Sequence, residues 1–326
     1  MIQFIQRAII LGIPLLFGST GETITEKSGH LNLGIPGIMY TGGICGVIGA
    51  FLYENKVGAE NIKPLLAILI PLGACILGSL LMGLIYSFFT VSLRANQNVT
   101  GLALTTLGTG IGNFFGGSLI KLTKSEIPYI SLGATSRYFK ASLPFASKLG
   151  WFGQLFLSYS FLAYVAIFTA LITAYVLKKT RVGLHLRAVG ENPATADAAG
   201  IPVERYKYFA TCIGAVIAGL GGLFFVMDYS GGIWANNAFG DLGWLAIALV
   251  IFTVWRTDVG ILGSFVFGAL LIVHNYITNL GMAGQELIQM IPYVVTIIVL
   301  IVVSAREKRE TQPPQALGLS YFREDR

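Results

Sequence analysis

The chain alternates between long apolar blocks and shorter polar breaks along almost its whole length. A membrane-spanning helix needs about 20 predominantly apolar residues, because the hydrocarbon core of a bilayer is about 30 Å thick. Nine blocks approach or exceed this length: residues 4–20, 35–53, 65–93, 101–120, 154–177, 208–227, 242–255, 259–280 and 290–303. The pattern therefore predicts an all-α integral membrane protein, a polytopic bundle of about eight to ten transmembrane segments.

The blocks differ in length. The first, seventh and ninth are short for a full crossing, and we expect them to be tilted, broken or re-entrant where other helices cover their backbone. The third block, residues 65–93, is long enough to extend past one membrane boundary.

One long polar interruption, residues 178–207, has the local pattern of a short helix. Its middle begins with Glu191, Asn192 and Pro193 and continues through an Ala-rich stretch to Gly200. Asn followed by Pro favours a helix start, and Gly is common just past a helix end. Loops between membrane helices are usually short, so a capped helix here indicates a surface for a partner protein. A solvated loop between two helices is the alternative.

Composition agrees with the membrane reading. Hydrophobic residues make up 54% of the 326 residues and charged residues only 12%, whereas about a quarter of a soluble domain is charged. The mean hydropathy of +0.71 points the same way.

The net charge of +6 is explained by topology. Residues 178–207 and the tail that begins at Arg306 are rich in Lys and Arg, and we expect both in the cytoplasm. Counting crossings backwards places the amino terminus, and residues 121–153, outside the cell. Nucleic-acid binding is disfavoured, because the basic residues are scattered at helix ends rather than gathered on one soluble face.

Several kinds of chemistry lack a supporting constellation. The three Cys and three His residues are dispersed, so neither a disulfide framework nor a metal site is implied. The chain has no Gly-Lys pair and therefore no phosphate-binding loop of its own. Only Arg7 and His274 place a charged or imidazole side chain inside the nine blocks, which disfavours an ion-coupled carrier. A secondary carrier or channel stays as the alternative of another class. A membrane enzyme is disfavoured because clustered carboxylates are missing.

The fourth block and the residues before it are rich in small polar side chains. Gly108, Gly112 and Gly116 recur every fourth residue, a spacing that lets a neighbouring helix approach closely. Helix packing is one interpretation. The other is a translocation path for an uncharged polar solute, lined by Asn96, Asn98, Thr105, Thr109 and Asn113.

Three motifs resemble a known family. They run from Gly21 through Leu33-Gly34 to Met39, over Gly101-Leu102-Ala103-Leu104, and from Leu186 through Asn192-Pro193 to Ile201. Together they resemble the membrane permeases of ABC importers for nucleosides, simple sugars and branched-chain amino acids. The first and third motifs look most like the second permease of purine nucleoside importers.

The resemblance implies a helical core related to that of the vitamin B12 importer permease, in a single permease domain over residues 1–306 with a short cytoplasmic tail, 307–326. It implies an ATP-binding cassette ATPase, a second permease and an extracytoplasmic binding lipoprotein as partners, in a bacterial cell membrane. The chain would bind no cofactor, since ATP and Mg would sit on the ATPase. The cytoplasmic loop would couple to it through Arg187, Glu191, Asn192, Asp197 and Gly200.

Two departures from the family pattern weaken the substrate assignment. Pro36 stands where the family usually has an acidic residue, and Asp241 to Trp244 replace a more glycine-rich run. Purine nucleosides are the expected solute, with a simple sugar such as ribose or branched-chain amino acids as alternatives.

Overall fold

Helices make up most of the structure. The computed structural model describes residues 2–58, 60–122, 129–141, 150–277, 281–305 and 312–323. The basic residues Lys124, Lys148, Arg306, Lys308 and Arg309 lie outside them. The helices are α1 (Ile2–Lys27), α2 (Ile35–Val57), α3 (Pro64–Ser87), α4 (Gln97–Leu122), α5 (Gly133–Phe139), α6 (Gly150–Phe156), α7 (Phe161–Lys179), α8 (Arg181–Glu191), α9 (Pro193–Ala198), α10 (Val203–Phe224), α11 (Leu242–Phe252), α12 (Thr257–Ile272), α13 (Met282–Gln289) and α14 (Ile291–Ala305).

Short irregular elements complete the fold. π-helical turns at Phe88–Ser92 and Phe225–Tyr229 extend α3 and α10, and a 3₁₀ turn, Val273–Tyr276, follows α12. Strands β1 (Ile130–Ser131) and β2 (Ile233–Trp234) pair antiparallel, with Ile130 opposite Trp234.

Each of the nine predicted blocks contains a helix, which confirms the polytopic all-α class. Among the described residues, five helices are long and apolar enough to cross a membrane: Ile2–Lys27, Ile35–Val57, Pro64–Ser92, Phe161–Lys179 and Val203–Tyr229. Shorter apolar helices cover Leu242–Phe252, Thr257–Ile272 and Glu286–Val302. The fifth block begins later than predicted, at Phe161, because α6 ends at Phe156 and a turn separates the two helices.

The first block does not end where its apolar pattern ends. α1 has 26 residues and includes the polar stretch from Thr20 to Lys27, so the expectation of a short first segment is wrong. Gly18 and Gly21 are contact points inside the helix: Gly18 faces Ala246 and Met39, and Gly21 lies against the backbone of α10. As a result, Glu22 and Glu26, which lie beyond the predicted block, are buried in the same helix as that block.

The seventh block is short, as predicted. α11 has 11 residues and so rises about 16 Å, roughly half of a bilayer core. It is buried along most of its length, which satisfies the condition for a half-length membrane helix. Val254 and Trp255, both at positive φ, form the turn that reverses the chain into α12.

The helices are arranged around α2, which is buried along most of its length. α3, α4 and α10 pack against α2, and α1 packs against α10 and α12. α3 and α7 are mostly exposed on their other sides and present large apolar side chains such as Leu77 and Phe168 outward. Such side chains suit contact with lipid.

The bundle has two ends, which we define by their residues. The near end carries α8, α9, Lys27 and Trp255, and the far end carries Phe4 and Tyr276, whose rings lie 5.0 Å apart. Residues 312–323 pack at the near end, so they share an end with α8 and α9, as the charge pattern predicts. The first residues of α1 lie at the far end. Which end faces the cytoplasm stays a prediction.

Backbone contacts at glycine join the central helices. A Cβ atom at Gly42 would lie 2.7 Å from Gly219 Cα, and one at Gly108 would lie 2.6 Å from Gly37 Cα. Real Cβ atoms do not approach this closely, so α2 meets α10 and α4 only where side chains are missing. The packing interpretation of the glycine stripe in α4 is confirmed.

We predict opposite effects of Ala at two glycines of α4. Gly108→Ala forces a Cβ atom into the backbone at Gly37 and lowers the melting temperature of the purified protein by several degrees, since overpacking costs about 1–3 kcal/mol. Gly110→Ala is the matched control. It faces open space and gains helix propensity, so the melting temperature stays level or rises. Equal melting temperatures for the two variants would contradict the packing.

Candidate functional site

The polar segment between α7 and α10 folds as two short helices, α8 and α9. The Thr180 hydroxyl accepts a hydrogen bond from Gly183 N at 3.2 Å and caps α8, a helix that the sequence did not predict. Asn192 Oδ1 accepts from Thr195 N at 3.0 Å, and Pro193 occupies the first turn of α9. Gly200 ends α9 at φ +82° and donates its N–H to Asp197 O at 2.9 Å. The predicted short helix and both of its end signals are therefore present.

The predicted coupling residues lie together on this α8–α9 pair. Arg187, Glu191, Asn192 and Gly200 are exposed, and Asp197 is half-buried. Val189, Ala196 and Val203 form a small buried cluster beneath them. The pair is thus a polar outer surface on an apolar base.

The α8–α9 pair contacts the end of α1 directly. Gly190 is buried against Lys27 O and Gly29 N, and a Cβ atom at Gly190 would lie 3.2 Å from that nitrogen. No side chain separates the two segments, so a displacement of α8 is passed to the backbone after α1.

A segment near the carboxyl end of the chain, residues 312–323, packs against Gly190 and Asp197 of this pair; we call it the strap. Its backbone donates from Ala316 N to Gly190 O at 3.0 Å and from Gly318 N to Gly29 O at 3.1 Å. Asp197 accepts a 2.8 Å hydrogen bond from Tyr321 Oη and pairs with Arg323 at 3.2 Å. The sequence predicted only a short tail in this part of the chain. Its Pro-Pro and Leu-Gly-Leu-Ser-Tyr-Phe stretch carried no periodicity that would indicate packing.

Gln97 ties the strap to the loop after α1. Its side chain accepts from Leu31 N at 2.8 Å and donates to Leu319 O at 3.2 Å. The loop is held further by Tyr86, which donates to Leu31 O at 2.7 Å.

A charged cleft of about 430 Å³ lies beside α8. Arg187 and Glu191 line one side, Lys27 lines the middle, and Trp255 and Arg256 line the other. Asp258 holds the opposite wall together, with Lys178 at 2.8 Å and Arg256 at 2.9 Å. The cleft therefore joins the α8–α9 pair to the α11–α12 turn.

Buried carboxylates fix the chain around this cleft. Glu26 accepts a hydrogen bond from the Trp255 indole, and Glu22 accepts one from Asn32 N at 3.0 Å. These bonds connect α1 to the α11–α12 turn and to the loop before α2. Burying a carboxylate is costly unless it is hydrogen-bonded, and this explains why the bonds occur here.

His30 lies in that same loop and is buried. Burial, followed by the nearby positive charge of Lys207, lowers the pKa of His30 well below its ordinary value. The ring is therefore neutral at pH 7, and its Nδ1 lies 3.4 Å from Thr211 Oγ1. His30 serves as a neutral packed group rather than as a charge.

The five predicted path residues do not share one location. Asn96 caps α4 through Val99 N at 3.1 Å, and Asn98 is exposed two residues later, both at the near end. Thr105 donates to Leu33 O at 2.8 Å and Thr109 to Thr105 O at 3.0 Å, in the middle of the helix. The glycine stripe packs one face of α4 against α2, and the opposite face of α4 is exposed.

Asn113 belongs to a polar cluster that the sequence did not reveal. Tyr40 Oη donates to Asn113 Oδ1 at 2.6 Å and accepts from Asn237 N at 2.9 Å, while Asn113 Nδ2 donates to Asn237 Oδ1 at 3.0 Å. This Tyr40–Asn113–Asn237 cluster joins α2, α4 and the segment that leads into α11. The three residues are far apart in sequence, so spacing alone could not bring them together.

Known proteins resemble this chain in sequence over nearly its whole length. The model of the family described as branched-chain amino acid transport system / permease component matches residues 4–300. The nucleoside ABC transporter permease protein NupC of Lactococcus lactis is 31% identical over 319 residues, covering 97% of this chain and 95% of the relative. The guanosine ABC transporter permease protein NupQ of Bacillus subtilis is 28% identical, with coverage of 97% and 95%.

A relative whose name gives a different solute is similarly close. A putative glucose ABC transporter permease protein of Haloferax volcanii is 29% identical, covering 95% of this chain and 94% of the relative. A second nucleoside permease of Lactococcus lactis, NupB, is 24% identical, covering 94% of this chain and 80% of its own length.

We predict that Tyr321→Phe loosens the strap without unfolding the bundle. Loss of the hydrogen bond to Asp197 raises local opening about tenfold, since a hydrogen bond to a charged group contributes about 1.5–3 kcal/mol and the site is partly exposed. Hydrogen exchange at the Gly318 amide is the measurement. Tyr175→Phe, on the exposed face of α7, is the control and leaves that exchange unchanged. Unchanged exchange in Tyr321→Phe would show that the contact is not needed.

Proposed function

Because this chain belongs to the family of branched-chain amino acid transport permease components, we propose that it forms half of the membrane path of an ATP-binding cassette importer for nucleosides. The nucleoside part is supported by NupC and NupQ, which match nearly the whole chain. Purine nucleosides are the proposed solute class, by analogy with the guanosine permease.

A partner subunit supplies the energy for transport. The sequence has no phosphate-binding loop, so ATP and Mg are bound by a separate ATPase subunit and this chain binds no cofactor. A second, related permease completes the path, an idea supported by the two different nucleoside permeases of one Lactococcus strain. An extracytoplasmic binding lipoprotein delivers the solute at the far end. The protein lies in the plasma membrane of the cell. Its near end, which carries the strap, faces the cytoplasm.

The observation that carries the coupling role is the α8–α9 pair itself. It carries Arg187, Glu191, Asn192 and Gly200 on its exposed side at the near end of the bundle, and Asp197 is bonded to the strap. A motor protein needs a rigid, exposed surface to push on, and a short capped helix on an apolar base has that property. We therefore assign the ATPase contact to these five residues.

The contacts around the pair define how its movement reaches the membrane. Gly190 touches the backbone after α1, and Glu26 in α1 bonds Trp255 in the α11–α12 turn. α11 in turn begins just after Asn237, which is part of the Tyr40–Asn113–Asn237 cluster. Displacement of the pair would thus tilt the half-length helix and alter that cluster, a rigid-body step between two states.

The polar face of α4 is the proposed wall of the path. Thr105, Thr109 and Asn113 follow one another up the helix, while Asn96 and Asn98 stand at its near-end mouth. All five are neutral and hydrogen-bonding, which suits an uncharged solute that must be released again. The exposed face of α4 would meet the second permease across the path.

Glucose is a second candidate solute because of the Haloferax relative. In a strain that lacks this chain, restoring it should restore uptake of labelled guanosine or adenosine, with labelled glucose, ribose and leucine tested in parallel. Restored glucose uptake without nucleoside uptake would favour the second candidate. Uptake that persists after the ATPase is deleted would favour a secondary carrier or channel.

We predict that Gly200 acts through its backbone conformation. A Cβ atom there meets open space, but φ is +82°, a conformation that β-branched residues avoid and Asn tolerates. Gly200→Val should therefore abolish nucleoside uptake and weaken copurification of the ATPase, whereas Gly200→Asn should keep at least about half of the uptake. Loss of uptake in both variants would indicate a steric contact instead.

We predict that Glu191→Lys leaves membrane insertion unchanged, because Glu191 is exposed at the end of α8, while it sharply reduces ATPase copurification and uptake. Glu204→Lys, an exposed charge reversal in the first turn of α10, is the comparison and should have the smaller effect. Equal effects of the two reversals would remove Glu191 from the contact.

A further inference from the structure

A cavity of about 500 Å³ lies at the far end, opposite the α8–α9 pair. It is enclosed by α1, α7, α10 and the end of α12. Cavities of about 300–1,000 Å³ are typical of small-molecule sites. This one lies among the helices of a single chain, apart from the face of α4 assigned to the path.

Three unpaired polar groups lie in the floor of the cavity. Tyr159, Ser160 and Asp228 are 7%, 5% and 8% exposed. Tyr159 Oη, Ser160 Oγ and Asp228 Oδ2 make no hydrogen bond of ordinary geometry among the residues that the structure describes, although Ser160 lies close to the Asp228 carboxylate. Buried polar groups are nearly always paired, because an unpaired one loses its hydrogen bonds to water without replacement. Three such groups facing one cavity indicate an occupant that supplies the missing bonds.

The mouth of the cavity has the opposite charge to its floor. Arg7 and Lys140 line it and are exposed, together with Tyr229 and Tyr276. Two cations at the mouth disfavour a metal cation as the occupant, and the Asp228 carboxylate below disfavours an anion. An uncharged molecule with hydroxyl donors satisfies both.

The aromatic and apolar side chains around the cavity restrict the shape of its occupant. Tyr229 and Tyr276 have exposed aromatic rings beside the cavity, and Ile10 and Ile272 are apolar. Aromatic side chains stack on planar rings, so the walls favour a solute that carries one. A hydroxylated sugar joined to a planar base has both features.

We propose that this cavity is a solute site within the single permease chain, which binds a nucleoside before or beside the main path. The sugar hydroxyls donate to Asp228, Ser160 and Tyr159 complete the polar contacts, and the base lies between the aromatic walls. The choice of nucleoside rests on the proposed function, whereas the floor and mouth residues define the site independently.

The test measures equilibrium binding of a tritiated nucleoside and of its 2′,3′-dideoxy analogue to the complete transporter in lipid nanodiscs, with the binding lipoprotein omitted. We expect Asp228→Asn to weaken nucleoside binding about 10- to 100-fold, since a hydrogen bond to a charged group has that effect. The unmodified protein should prefer the nucleoside over its analogue, and Asp228→Asn should lose that preference. Glu60→Gln, an exposed carboxylate beyond the end of α2, is the control and should bind as the unmodified protein does.

Ser160→Ala and Tyr159→Phe extend the test if Asp228→Asn fails to fold. Each should weaken nucleoside binding several-fold, because each removes one of the unpaired hydroxyls. Binding equal to that of Glu60→Gln in all variants that fold would overturn the site and show that the cavity holds only water. If the unmodified transporter imports no nucleoside, the proposed function fails, and the same variants are then compared with whichever solute it imports.

Discussion

Close backbone contact at glycine is the constraint on which the rest of this structure depends. Lipid tails are as apolar as Leu, so membrane helices gain little from apolar burial against each other and associate through close packing and hydrogen bonds. Here Gly37 meets Gly108 and Gly42 meets Gly219. These contacts bring α4 and α10 directly onto α2, and the polar cluster around Tyr40 forms only because the helices lie so near.

The near end shows how such a tightly packed bundle accommodates buried carboxyl groups. Glu22 and Glu26 are buried, yet each has a hydrogen bond to a different neighbouring segment. Burying a carboxyl group is costly unless it is hydrogen-bonded, so the bonded arrangement is strongly preferred. The carboxylates consequently act as fixed joints between α1, the loop before α2 and the α11–α12 turn, at the point where the α8–α9 pair rests.

Apolar periodicity predicted the existence of the membrane helices well and their ends poorly. The blocks around α2 and α3 matched closely, because their boundaries coincide with charged residues and prolines. α1 overran its block, since Gly21 and Glu22 are helical only through contacts with α10 and the folded-back loop. Asn192, Pro193 and Gly200 identified α9 correctly because capping is a local property.

Contacts between distant residues were beyond reach of any local pattern. Nothing in the neighbourhood of Asn237 indicates that its side chain bonds Asn113, and nothing near Tyr321 indicates Asp197. The five residues chosen for the α8–α9 pair lie on one surface because one short segment carries them. The five chosen for the path are spread along α4 and the residue before it, because each residue of a helix advances the chain by about 1.5 Å.

The strap has a consequence for how the protein is made. Residues 312–323 are synthesised after α10 to α14, yet they hold Asp197 and Gly190 in segments that left the ribosome long before. At a synthesis rate of about 5–20 residues per second, the α8–α9 pair spends several seconds without its final support. The complete surface of the α8–α9 pair therefore forms only after the last membrane helices have been made. A chain whose synthesis stalls earlier has this surface without the strap.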